Sequence, residues 1–154
     1  MTVRNRLLAT IFLVASVAAL ASSSMPAHAS HVLITEEEAK LPPPRGAVAA
    51  DRRGITRGPR IDVVMPADQV HSPVHLQLKF ESFGGAKIDP DSVKVTYLRT
   101  PNVDLTPRIK PFVQPTGIDM PDAELPAGDH MVRVDIKDSD GRAGSMSFVL
   151  KVAP

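Results

Sequence analysis

Cysteine and tryptophan are both absent from the 154 residues, and tyrosine occurs once. Without thiols the chain has no disulfide, no thiolate ligand for a metal, no cysteine nucleophile and no cysteine to carry a lipid anchor. With aromatics at only 4% of residues, any core must be filled mainly by aliphatic side chains. Gly-x-Ser-x-Gly, His-Glu-x-x-His and phosphate-cradling glycine loops are missing as well, so the expectation is a protein that is not an enzyme and needs no cofactor. Neither sign of charge dominates, with 18 basic against 17 acidic residues, which argues against nucleic acid or an anionic membrane as target.

Long apolar runs are equally scarce. The longest, Leu7 to Leu20, has 14 apolar or small residues, short of the roughly 20 that span a bilayer. Arg4 and Arg6 precede it and Ala27-His28-Ala29 comes after it, which together predict a cleaved signal peptide over residues 1–29. Cleavage there removes two bases and no acids, turning the formal balance into an excess of one acid, and leaves no transmembrane segment. The expected location is periplasmic or secreted.

Proline, by contrast, is plentiful, at 15 residues. Residues 30–59 read as a flexible N-terminal arm and linker. Thr35 and Glu38 have the spacing of a capping box, and Pro42 to Pro44 end the short helix it would start. Arg52, Arg53, Arg57 and Arg60 give the linker a basic character suited to solvent or to an acidic partner. Val32, Leu33 and Ile34 stand out as three branched apolar residues in a polar tail, a candidate contact for an unidentified protein partner. An arm of this kind would be removable without unfolding the β-rich remainder of the chain.

From residue 60 to 153 the pattern changes to period-two alternation. Ile61, Val63 and Met65 form one set, Val74, Leu76, Leu78 and Phe80 a second, and Val93, Val95 and Tyr97 a third. A helical turn is expected near Thr106 to Lys110 and a short strand over Ile118 to Leu125. The clearest unit is a closing hairpin, Val132, Val134 and Ile136 against Met146, Phe148, Leu150 and Val152, joined through Asp138-Ser139-Asp140-Gly141. Six or seven such strands predict an all-β fold, an Ig-like antiparallel β-sandwich.

Pro126-Ala127-Gly128-Asp129-His130, the strand after it and Asp140-Gly141-Arg142 resemble the last two strands of bacterial Ig-like modules, and Ile88-Asp89-Pro90-Asp91 resembles the entry to their third strand. In that family an aromatic, often tyrosine, comes after the corner and bonds back to the backbone; His130 stands there in this chain. The signal-like start, Pro66-Ala67-Asp68 and Pro126-Ala127-Gly128 are similar to periplasmic copper-resistance proteins of the CopC type, but Arg142 occupies the place of their second histidine ligand.

Few residues suggest chemistry. Ser30-His31 at a new N-terminus could hold Cu(II) through amine, amide and imidazole. Asp138 and Asp140 have the look of a calcium loop and equally of a plain turn. His71 and His75 straddle Pro73 and read as surface histidines, and Asp119, Asp122 and Glu124 as an exposed acidic strand. The leading functional expectation is a non-enzymatic exported binding module. The alternative is a periplasmic metal-binding protein for copper, or else calcium, with His31, Asp138 and Asp140 as candidate ligands.

Overall fold

In the computed structural model, residues 30–45, 58–65 and 69–154 are described. The predicted signal peptide, Arg52, Arg53, Arg57 and the Pro66-Ala67-Asp68 corner lie outside them. Along the chain come β1 (His31–Val32), α1 (Glu36–Ala39), β2 (Arg60–Val63), β3 (Val74–Glu81) and β4 (Lys94–Tyr97). Then come β5 (Val103–Asp104), α2 (Thr106–Ile109), β6 (Val113–Gln114), β7 (Gly117–Glu124), β8 (Gly128–Lys137) and β9 (Ala143–Val152). Short 3₁₀ turns occupy Pro90–Ser92 and Lys110–Phe112, where proline at the first or second position supplies a ready-made φ. No helix among the described residues is long and apolar enough to cross a membrane.

The alternating stretches become strands because each has one face to bury. β3 alternates buried and exposed positions along its length, and β8 places Val132, Val134 and Ile136 at 1% exposure or less. The strands make two sheets. One has the order β1-β7-β3-β2, with β6 also on β7; the other runs β5-β4-β8-β9. Apolar faces of both enter a single contiguous cluster that includes Leu76 and Met120 from the first and Val95, Tyr97 and Val134 from the second. Among the described residues the named strands pair antiparallel except that β1 runs parallel to β7, so the first sheet is mixed.

Local chemistry shapes the joints. The β8–β9 connection is held by Asp138 N–H to Arg142 O (3.0 Å) and Gly141 N–H to Asp138 O (2.9 Å), with Gly141 at φ 76. In β7 an extra residue relative to β3 falls between Met120 and Ala123, and Asp122 takes φ 54 to absorb it. On the side where β2 meets β9, a Cβ on Gly144 would collide with the Pro59 carbonyl, so glycine lets the two chains approach.

Residues 30–45 are not the free arm expected from composition. His31 and Val32 pair with Ala123 and Glu124, and Leu33 N–H donates to Glu124 O at 2.9 Å. Leu33 and Ile34 are then 1% and 2% exposed, inside the common cluster, while Val32 is left 49% exposed. Of the three apolar residues offered as a partner contact, two are therefore core residues of this chain. Their burial supplies a driving force that the polar composition around them masks: roughly 1.5–3 kcal/mol for each side chain. Removing the segment would open the core rather than trim it.

Leu33→Ala in the chain beginning at Ser30 is accordingly expected to cost about 2–5 kcal/mol in urea unfolding. Val32→Ala should change stability by no more than about 0.5 kcal/mol. Equal effects at the two positions would contradict the docking.

Candidate functional site

The seam where residues 30–43 dock is built from three anchors. The first is β1 on the edge of β7. The second begins locally: Thr35 caps α1, its Oγ1 accepting from Glu38 N–H (3.2 Å) while Glu38 Oε2 accepts from Thr35 N–H (2.9 Å). The same carboxylate meets Arg108 of α2 in a two-pronged contact. Arg108 Nη1 donates to Oε2 and Nη2 to Oε1, both at 2.7 Å, and Nη1 also reaches Leu33 O at 2.8 Å. The hydrogen bonds from Arg108 hold the Glu38 carboxyl at about 2, burial opposing them and Thr35 adding to them.

The third anchor lies beyond α1. Thr100 donates its N–H to Pro42 O (2.9 Å) and its hydroxyl to Pro43 O (3.0 Å). Arg99 reaches Leu41 O with Nη1 and Asp129 O with Nη2, and its Nε donates to Tyr97 Oη at 2.7 Å. Tyr97 in turn contacts His130 Nδ1 at 3.0 Å, and His130 Nε2 lies 2.7 Å from Pro126 O. Because a carbonyl only accepts, Nε2 carries the proton; Nδ1 then accepts from the tyrosine hydroxyl, and every member of the buried chain is satisfied by a neutral imidazole. An imidazole thus performs the bond back to the corner. Burial lowers the His130 pKa below its usual 6.5, and the charge of Arg99 lowers it further against the Pro126 bond.

Between the docked segment and this corner lies a groove of about 430 Å³, open to solvent. Val32, Ile34, Pro73, Leu125 and Pro126 supply its apolar lining, and Thr35, Glu36, Ser72 and Glu124 its polar part. Both walls are fixed by the contacts just described: Glu124 O holds Leu33 and Ile34, Ser72 Oγ accepts from Leu125 N–H (3.1 Å), and His130 holds Pro126.

The sequence candidates are scattered relative to it. His31 sits outside the groove lining with its ring edge-on to Phe112, 4.9 Å between centroids. Asp138 is buried and serves the turn: Oδ1 accepts from the amides of Asp140 and Arg142, and Oδ2, with no hydrogen bond of its own, faces Arg142 Nε at 3.3 Å. Asp140 also contacts the Arg142 guanidinium. A calcium ion there would have to displace that cation. His31 and these aspartates are not brought together, and no group of three or more potential ligands forms among the described residues. His71 is exposed, while His75 pairs across strands with Asp119. Of the acidic strand, Glu124 alone lines the groove. The residues missed from sequence are Arg108 and Arg99, whereas the corner resemblance points to His130, which does bond back to Pro126 O. Parity agrees with that placement, since His130 shares the inward set of Val132 and Val134.

Comparisons with protein-family models, curated proteins and solved structures gave no match to this chain.

Two acid-dependent losses of stability are expected. His130 titrates lower folded than unfolded, so its contribution is complete above pH 6.5 and is lost as pH falls below that value toward the folded pKa. Glu38, lowered from 4.5 to about 2, contributes fully above 4.5 and loses its share between 4.5 and 2. Thermal midpoints measured across pH should show His130→Gln flattening the first decline and Glu38→Gln weakening the second. A pH profile unchanged by His130→Gln would contradict the neutral-imidazole arrangement. Separately, Arg108→Met should lower unfolding free energy at pH 7 by about 1.5–3 kcal/mol, the range for a hydrogen bond to a charged group.

Proposed function

We propose that this protein is an exported, non-enzymatic binding module of Ig-like sandwich type, and that its binding face is the groove beside the docked N-terminal segment. The observation that carries the reading is Val32: 49% exposed on the groove wall, next to two residues that the core has taken in. An apolar lining that remains accessible between rigidly bonded walls is suited to receiving another chain. Two facing sheets and the Pro126–His130 corner support the Ig-like assignment; the residue pattern over 1–29 supports export. The hydroxyls around the groove are occupied in structural roles, Thr35 in the cap and Ser72 on Leu125, and among the described residues the carboxylates Glu36 and Glu124 have no histidine or lysine beside them in the lining. That distribution suits recognition better than proton transfer or nucleophilic attack.

Co-purification from the native host tests it. Val32→Asp changes an exposed side chain and should leave the fold intact while removing the specific partner. Val149→Asp, at a comparably exposed strand position away from the groove, should retain it. Loss in both, or in neither, would overturn the assignment of this face.

A further inference from the structure

We infer that the occupant of the groove is an extended, basic segment that sets an apolar side chain between flanking lysines or arginines. This rests on the groove being the binding face. The argument begins with its charge. Two carboxylates, Glu36 and Glu124, belong to the lining, and among the described residues neither lysine nor arginine does. Glu37 adds an exposed acid on the same turn of α1. The nearest balancing contact is Lys40 with Glu36, at 3.9 Å and with side chains 75% and 81% exposed, a pair worth little and readily exchanged. Glu124 has no ion-pair partner among the described residues.

The backbone of Glu124 is fixed by the docked segment, through Leu33 N–H at 2.9 Å and Ile34 N–H at 3.3 Å, so its carboxylate is offered from a rigid position. The same lining includes Val32, Pro73, Leu125 and Pro126, none of them charged. An acidic segment would meet two like charges; a purely polar one would leave the apolar lining wet. A lysine or arginine flanking a valine-sized side chain satisfies both parts, its aliphatic stem lying on the lining and its head on a carboxylate. Because the groove is open, an extended chain can lie across it, whereas a small ligand would remain largely exposed.

The test uses ¹⁵N-labelled protein beginning at Ser30 and three capped hexapeptides, alternating lysine–valine, glutamate–valine and lysine–glycine. Lysine–valine should shift the amide resonances of Val32, Glu36, Glu124 and Leu125 in a saturable way, and the other two should not. The Glu36→Gln/Glu124→Gln double variant, with an otherwise unchanged spectrum, should bind lysine–valine about three- to tenfold more weakly. Equal binding of lysine–valine and glutamate–valine would overturn the basic requirement while leaving the groove as the binding face. Groove shifts from none of the three peptides would overturn the inference, and the Val32→Asp co-purification would still decide the underlying reading on its own.

Discussion

One carboxylate organises the seam on which the molecule depends. Glu38 accepts from its own cap residue, Thr35, and from both terminal nitrogens of an arginine 70 residues away, and that arginine also takes up the Leu33 carbonyl. A half-buried ion pair is net favourable only when its remaining lone pairs and protons are satisfied, and here both oxygens are. Helix initiation, arm docking and the position of α2 are thereby one event. A four-residue helix has no stability of its own; this one exists because its first turn is also a tertiary contact.

The groove inherits its shape from that arrangement. One wall is the docked segment, held by β7 and Arg108; the other is the Leu125–Pro126 corner, held by Ser72 and His130. Arg99 connects the two sides, touching Tyr97 at one end of the buried chain and Leu41 on the arm. A surface framed this way would change little on binding, so the proposed extended segment would settle there without the cost of ordering the groove itself.

What the sequence disclosed was whatever depends on neighbours in the chain. Period-two alternation located β3, β4, β8 and β9, and the three-residue spacing of Thr35 and Glu38 located a capping box that the structure contains. Distant contacts left no such trace. Nothing near Arg108 announces Glu38, and Val32-Leu33-Ile34 carries no alternation because Leu33 and Ile34 come after the strand and turn inward together. Composition therefore suggested a loose tail where burial made a fixed edge. Asp138 illustrates a different ambiguity: the oxygens that cap a turn are the oxygens that bind calcium, and the turn amides with Arg142 now engage them.

The parallel pairing of β1 with β7 also orders events in time. His31 and Val32 are made early, yet their partners, Ala123 and Glu124, lie more than half the chain's length further on. Closing so long a loop costs entropy before any contact is gained, and such non-local pairing is slow. The docked segment therefore cannot settle before β7 has been made, and Leu33 and Ile34 stay exposed until β7 exists to receive them. An early-made apolar patch with a late-made home is the kind of surface that chaperones hold and that neighbouring nascent chains can capture.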